Sequence, residues 1–178
     1  MRILRFFLYL LSVLYLSACK EAAPVTPDTR SDAQNDSIIR EQFVTANQRL
    51  AIKENDEMDY YAKTHKMPFV KTRSGLRYFV YKPSSKGDSV RQGMEITMNY
   101  QVSLLDGTAC YSSKTDGPMT FVVGKMEAIE SGIHKGVQYL KRGDKALILI
   151  PSVLAHGLLG DFKKIPPQMP IVYDVEIY

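Results

Sequence analysis

The clearest pattern in the chain is a strict alternation of apolar and polar residues over residues 95–104. Ile96 and every second residue after it are apolar, whereas Glu95 and every second residue after it are polar. A period of two residues is typical of a β-strand with one buried face, as found in antiparallel sheets. The Asp-Gly pair that follows at 106–107 predicts a hairpin turn.

Further strands are predicted where short apolar or alternating runs lie between turn-forming residues. They cover residues 75–82, 108–111, 119–123, 145–150 and 171–178, with loops at 112–118 and 151–170. Ile133, Val137 and Leu140 recur at helical spacing and predict one short helix among these strands. This order of elements predicts the α+β class, an antiparallel sheet with a helix across one face.

A helical arm is predicted over residues 36–66, ahead of the strands, and Pro68 ends its pattern. It is either one long helix or two short ones. Apolar residues at spacings of four, three and four share one face of the arm. These residues are Ile39, Phe43, Ala46 and Leu50. The pattern leaves two interpretations open: the arm packs on its own domain, or it serves as a dimerisation arm or spacer.

The start of the chain has the features of a secretory leader. Arg2 and Arg5 precede an apolar run over residues 6–16, which is shorter than the about 20 residues of a spanning helix. The four residues 16–19, Leu-Ser-Ala-Cys, then resemble the bacterial lipobox, where signal peptidase cuts before the cysteine. The resemblance predicts a signal peptide over residues 1–18 and lipid on Cys19. A plain signal peptide with a chance cysteine is the alternative.

Residues 19–35 are rich in Ala, Pro, Asp, Ser and Thr, and this composition predicts a flexible tether. Two or more acyl chains on Cys19 would hold the chain firmly to a membrane. Lys20 follows the cysteine, and the lack of an Asp there favours the outer membrane over the inner one.

Composition narrows the function classes further. With 45% apolar and 24% charged residues, the 178-residue chain is not a disordered protein. Loss of Arg2 and Arg5 with the leader leaves 21 basic against 19 acidic residues, which argues against nucleic acid as a partner. The two cysteines and three histidines form no cluster at ligand spacing, so no metal is expected. No cofactor motif is present, and His65 and His134 are predicted to be solvated.

Five motifs resemble, in chain order, those of the FKBP-type peptidyl-prolyl cis-trans isomerases. The first is the hairpin Tyr-x-x-x-Leu-x-Asp-Gly at residues 100–107. The others are Phe-Val-Val-Gly at 121–124, the helix and turn at 136–146, Ile-Pro-Ser-x-x-Ala-x-Gly at 150–157, and Ile-Pro-Pro with the last strand at 165–176. Each motif alone is weak, and their common order and spacing carry the resemblance to a bacterial lipoprotein member of this family.

The resemblance implies a half-barrel of antiparallel strands wrapped on one short helix, with a pocket between helix and sheet. It also implies an activity, which is rotation about X-Pro peptide bonds. This rotation requires no acid, base or metal, because no bond is broken. A pocket that fits the twisted proline suffices.

Pocket residues follow from the resemblance position by position. It implies catalytic roles for Tyr100, Cys110, Tyr111, His156 and Tyr173, and substrate-binding roles for Met119, Phe121, Ile129, Glu130, Ile133 and Ile165. Tyr100 and Tyr173 take the places of the aromatic walls. An additional residue within 127–131 leaves the placement of Ile129 and Glu130 open by one position. Core packing without substrate contact remains the alternative for each pocket residue.

Four pocket positions depart from the usual family pattern. Ile133 stands at the floor where Trp is common, and Cys110 stands where Phe is usual. Tyr111 replaces an Asp, and His156 replaces a Tyr whose hydroxyl binds the ligand. The smaller Cys110 puts pocket contacts of about 1–3 kcal/mol at risk.

Two functions therefore remain open. The first is an active isomerase that acts on proline-containing polypeptides of the envelope and assists their folding. The second is a binding or chaperone module, or an accessory lipoprotein of an envelope complex, with little isomerase activity. In either case we expect attachment to a membrane through the lipid, at the outer membrane facing the periplasm or the cell surface. Dimerisation through the arm would add a second copy as partner.

Overall fold

The structure, a computed structural model, describes residues 29–125 and 129–178, with side chains described from residue 34 onward. The predicted signal peptide, Cys19 and most of the predicted tether lie outside the described residues. The chain divides into two units, Met1–Gln42 and Phe43–Tyr178. The second unit contains every strand of the described part.

The arm is one continuous helix, α1, which spans Thr29–Thr64. It begins seven residues before the predicted start, so residues 29–35 of the predicted tether are helical. Polar composition alone does not prevent a helix, and no proline or glycine interrupts residues 29–64. Among the described residues, no helix has both the length and the apolar character needed to cross a bilayer.

The predicted apolar face of α1 is buried only in its C-terminal continuation. Ile39 and Phe43 are 48% and 64% exposed, whereas Met58 is 1% exposed. Met58 packs with Leu149 and Val172 of the sheet. The apolar face of α1 therefore packs on the sheet at Met58, about two helical turns after Leu50, the last residue of the predicted pattern.

Seven strands of the described residues form one antiparallel sheet. They are β1 (Val70–Lys71), β2 (Arg77–Lys82), β3 (Glu95–Leu104), β4 (Ala109–Ser112), β5 (Met119–Val122), β6 (Lys145–Ile150) and β7 (Ile171–Ile177). Their order in the sheet is β1-β2-β6-β7-β3-β4, and β5 also pairs with β3. The predicted strands are thus present, and the two-residue strand β1 is one that the pattern did not indicate.

Two short helices lie between the strands. The predicted loop at 112–118 contains helix α2 (Ser113–Asp116), which Ser112 caps by accepting a hydrogen bond from the backbone N–H of Lys114. Helix α3 (Ser131–Gly136) continues into a 3-10 turn at Val137–Tyr139. The antiparallel sheet and these short helices together give the predicted α+β architecture.

Helix α3 lies very close to the sheet. Ile133 and Val137 are fully buried against it. A Cβ atom added at Gly132 would lie 2.3 Å from Cγ2 of Ile150, so only glycine allows this approach. This close packing fixes the position of Ile133 relative to β6.

A buried arginine joins α1 to the sheet. Arg77 of β2 is 1% exposed, and its guanidinium lies 2.6 Å from Oδ1 of Asp59. It also donates hydrogen bonds to the backbone carbonyl groups of Asn55 at 3.0 Å and Gly75 at 2.9 Å. Because a buried guanidinium is costly without such partners, this network holds the C-terminal half of α1 in one place.

Candidate active site

Two tyrosines on neighbouring strands form an aromatic wall between α3 and the sheet. Tyr100 lies on β3 and Tyr173 on β7, and the register pairs Val102 with Tyr173. Their ring centroids are 6.2 Å apart with an angle of 44° between the planes. Tyr173 is 2% exposed, whereas Tyr100 is half-buried, so Tyr100 forms the accessible part of this wall.

The other predicted apolar residues collect in the same hydrophobic core. Buried members are Cys110, Phe121, Ile133, Ile165 and Tyr173, and partly buried members are Tyr100, Tyr111, Met119 and Ile129. They come from β3, β4, β5, β7, α3, the segment just before α3 and the loop before β7. The fold thus brings the sequence-predicted apolar site residues into one core cluster.

Glu130, just before α3, contacts two of the predicted catalytic residues. Its Oε2 accepts a hydrogen bond of 3.0 Å from the hydroxyl of Tyr173. Its Oε1 lies 2.9 Å from Nε2 of His156, which gives an ion pair when the imidazole is protonated. Burial, followed by the charge of Glu130, raises the pKa of Tyr173, so the phenol stays a hydrogen-bond donor.

The predicted site residue Tyr111 is held by the long loop between β6 and β7. Its hydroxyl donates a hydrogen bond to Oδ2 of Asp161, and Nζ of Lys164 lies 4.9 Å from its ring centroid. The hydrogen bond to Asp161 raises the pKa of Tyr111 to about 12. Lys164 also donates to the backbone carbonyl of Cys110 at 2.6 Å. The loop is thus fastened to β4.

Asp161 organises that loop. Its Oδ1 accepts backbone N–H hydrogen bonds from Lys163, Lys164 and Ile165 at 2.8–2.9 Å. Partial burial acts to raise the pKa of Asp161, but the hydrogen bonds from Tyr111 and these N–H groups outweigh it and lower the pKa to about 2. The carboxylate is therefore ionised at neutral pH and holds the backbone at Ile165, whose side chain is buried in the core cluster.

Cys110 is a buried free thiol of the core cluster. Its Sγ lies 3.6 Å from the carbonyl oxygen of Thr108 and 3.8 Å from that of Lys164. Burial and the nearby charge of Asp161 raise its pKa, which leaves the thiol protonated at neutral pH. Cys110 therefore contributes apolar surface and does not act as a nucleophile.

The prediction that His134 is solvated is wrong. Its side chain is buried, with 8% of its surface exposed. Nδ1 of His134 accepts a hydrogen bond from the backbone N–H of Gly124 at 3.0 Å, and its ring packs edge-on against Phe121 at 5.0 Å. A position on the buried face of a very short helix outweighed its polarity. His65 is exposed, as predicted, and stacks on Tyr61.

Sequence reasoning missed three parts of the site. Glu130 is predicted to bind substrate, but its contacts with Tyr173 and His156 come from tertiary structure. Asp161 and Lys164 were part of an unassigned loop. An Asp in a loop can cap a turn by accepting hydrogen bonds from the backbone N–H groups two to four residues later. This tendency of Asp could have indicated Asp161 within the loop.

Comparisons with known proteins place this chain in one family. Residues 86–178 match the family described as FKBP-type peptidyl-prolyl cis-trans isomerase. The chain therefore belongs to the FKBP-type peptidyl-prolyl cis-trans isomerase family.

The chain is similar to two curated relatives. It is 37% identical over 107 residues to the probable FKBP-type peptidyl-prolyl cis-trans isomerase FkpA of Neisseria meningitidis serogroup B, which covers 60% of this chain and 38% of the relative. It is 34% identical over 121 residues to FkpA of Escherichia coli K12, which covers 67% of this chain and 43% of the relative. The matches thus span about two fifths of the relatives' length.

Solved structures give the same assignment. The crystal structure of FkpA from Escherichia coli superposes with a TM-score of 0.59 at 26% identity, over 84% of this chain and 71% of that chain. The crystal structure of AtFKBP13 superposes with a TM-score of 0.56 at 28% identity, over 61% of this chain and 94% of that chain.

Proposed function

We propose that the chain catalyses cis–trans isomerisation of X-Pro bonds in proteins of the bacterial envelope and so assists their folding. One observation carries the proposal: in an FKBP family chain, the rings of Tyr100 and Tyr173 lie 6.2 Å apart in the core cluster that contains Ile133. Uncatalysed rotation has a barrier of about 18–20 kcal/mol and takes tens to hundreds of seconds. A catalyst therefore has a slow folding step to act on.

The mechanism follows from how the amide changes as it twists. In the planar forms, resonance separates charge between the carbonyl oxygen and the nitrogen. The twisted form loses this resonance and the charge separation that comes with it. Transfer into an apolar pocket therefore costs the twisted form less free energy than the planar forms. We assign the pocket to Tyr100, Tyr173, Ile133, Ile165 and Ile129, with Phe121 and Met119 supporting them.

Polar groups at the rim then orient the substrate. His156 lies beside Glu130, and we assign its imidazole to a hydrogen bond with a carbonyl group flanking the proline. Tyr111 holds the loop through Asp161, and we assign it a positioning role. Cys110 completes the wall with a small side chain, so we expect slower catalysis than in a pocket with Phe at this place.

The test is exchange spectroscopy by NMR on a proline tetrapeptide with the full chain purified in detergent. We expect exchange between cis and trans signals that increases with protein concentration. Tyr100→Ala should lower the rate about tenfold, the effect of about 1.4 kcal/mol of lost transition-state contact. Tyr81→Ala, on the outer face of the sheet, is the matched control. Absence of exchange with the unsubstituted chain at high concentration would refute the catalytic assignment.

A specific observation favours a second candidate, a binding module with little catalysis. Tyr173 and His156 both contact Glu130, so the polar groups of the pocket already pair with one another. A peptide that binds in this pocket without faster exchange would indicate this second function.

We also propose that the mature chain is a lipoprotein, anchored through Cys19 at the outer membrane. The charged start, the apolar run over residues 6–16 and the lipobox-like motif support this assignment. Metabolic labelling with a radioactive fatty acid should label the chain. Cys19→Ser should abolish the label and Cys110→Ser should leave it, whereas equal labelling of all three chains would contradict the anchor.

We further propose that α1 joins two copies of the chain. Large apolar side chains of α1 are about half exposed or more, including Ile38, Ile39, Phe43 and Val44. Sedimentation analysis should give a dimer, and Phe43→Asp with Val44→Asp should give a monomer. Tyr81→Asp is the control outside the arm. A monomer at all concentrations in the unsubstituted chain would rule out this role.

A further inference from the structure

A groove of about 400 Å³ lies where α1 meets the loop that follows β6. We call it the helix–loop groove. Leu50, Ala51 and Met58 of α1 form one side, and Val153 and Leu158 of the loop form the other. Its exposed lining is mostly apolar, and its size is in the range that holds one or two bulky side chains.

The two sides of the groove are fixed to each other. Glu54 of α1 is 3% exposed, and its carboxylate accepts hydrogen bonds from the backbone N–H of Ser152 at 2.8 Å and from the hydroxyl of the same residue. Bonds of this charge-assisted kind in a buried place are strong. The groove is therefore formed before any ligand binds, which reduces the entropy lost on binding.

The groove and the candidate active site are adjacent along the chain. His156 contacts Glu130 beside the aromatic wall, and the next residue, Gly157, lines the groove. Apolar side chains along the same loop are exposed instead of buried. They are Val153 (77%), Leu158 (57%), Leu159 (65%) and Phe162 (83%). Contiguous exposed apolar surface beside a binding site is typical of an interaction surface.

We propose that the helix–loop groove is an accessory binding site for apolar side chains of the same polypeptide whose proline occupies the active site. The proposal rests on the proposed isomerase function. Adjacency to the proline site favours this occupant, because His156, which we assign to a carbonyl group of the substrate, directly precedes Gly157 of the groove. The groove then favours unfolded clients that carry leucine-like residues near a proline, since folded proteins bury such residues.

The test compares two labelled peptides of about fifteen residues, long enough when extended to span about 50 Å. Both contain one central proline, and the first carries leucines on either side where the second carries serines. Fluorescence anisotropy with the full chain in detergent gives the two dissociation constants. We expect the leucine peptide to bind about tenfold more tightly than the serine peptide.

Matched variants locate this preference. Leu158→Asp removes apolar surface from the groove, and Ala51→Trp fills it. Each should reduce the ratio of the two dissociation constants from about ten to about one. Val70→Asp and Ile52→Trp are the controls, because these two apolar residues are 52% and 62% exposed and do not line the groove. They should keep the preference.

Three outcomes would overturn the proposal. Either Leu158→Asp and its control Val70→Asp lose the preference equally, or none of the variants changes it, or the groove variants change the sedimentation coefficient while leaving the preference intact. The last result would assign the groove to a second copy of the chain. Exchange spectroscopy on a tetrapeptide, too short to reach beyond the pocket, is run in parallel. If only the exchange with the tetrapeptide is absent, the isomerase function is refuted, and the anisotropy measurement on the groove can still be interpreted.

Discussion

The hydrogen bond between Tyr173 and Glu130 lets the ring of Tyr173 be separated from its hydroxyl. Tyr173→Phe keeps the aromatic wall and removes the donor. Tyr173 is 2% exposed, and the bond length is 3.0 Å. A hydrogen bond to a charged group contributes about 1.5–3 kcal/mol. Glu130 keeps its contact with His156, so we expect a loss of about 2 kcal/mol in the free energy of unfolding.

The assay is chemical and thermal unfolding combined with exchange spectroscopy. A loss of about 2 kcal/mol corresponds to a melting temperature lower by about 4–8 °C for a chain of this size. A double-mutant cycle with Glu130→Met should give a coupling energy of about 1–2 kcal/mol. Isomerase activity should fall by less than about threefold in Tyr173→Phe and by about tenfold or more in Tyr173→Leu, because the ring supplies the wall.

Two results would refute this reasoning. A stability loss below about 0.5 kcal/mol, the size of an ordinary surface change, would mean that the bond contributes nothing. Equal loss of activity in Tyr173→Phe and Tyr173→Leu would show that the hydroxyl, and not the ring, is what the reaction needs.

Three further predictions concern the frame of the site. Arg77→Met should lower the free energy of unfolding by about 3 kcal/mol in denaturant titration, because it breaks a buried hydrogen-bond network; a loss under about 1 kcal/mol would contradict this. Gly132→Ala should destabilise the chain by about 2 kcal/mol or more, since its new Cβ would meet Ile150; unchanged stability would show that α3 can shift freely. Tyr111→Phe should raise the pKa of Asp161 from about 2 toward 3.8, as followed by NMR titration. Because the folded pKa is lowered, the carboxylate stabilises the fold above about pH 4 and this contribution disappears as the pH falls to about 2; screening at this site limits it to about 1 kcal/mol.

The sheet was predictable because its local patterns and its tertiary environment agree. The alternation around Ile96 and the apolar run that contains Ile148 both correspond to buried strand faces. A half-buried strand leaves this mark on the sequence whatever its neighbours are. The fold class and the order of the elements followed from such patterns.

The sequence pattern does not indicate which polar residues are buried, because tertiary contacts decide this. His134 has polar chemistry but lies on the buried face of α3, where Phe121 covers it. Glu54 interrupts the apolar face of α1 and is buried only because Ser152 satisfies it. Sequence alone cannot reveal a partner such as Ser152, since it lies 98 residues from Glu54 in the chain.

The candidate site shows the same division. The resemblance assigned Tyr100, Tyr173 and Ile133 by position, and they lie in one core cluster with aromatic rings 6.2 Å apart. The link from His156 to Glu130 and the fastening of Tyr111 by Asp161 depend on loop geometry. These polar contacts are the parts of the site that the structure added.

The central claim is that this pocket speeds rotation about X-Pro bonds. Exchange spectroscopy on a proline tetrapeptide with the full chain tests it most directly, with Tyr100→Ala and Tyr81→Ala measured beside it. The account predicts exchange that rises with protein concentration, falls about tenfold in Tyr100→Ala and is retained in Tyr81→Ala. Exchange no faster than in buffer, or equal loss in both variants, would contradict it.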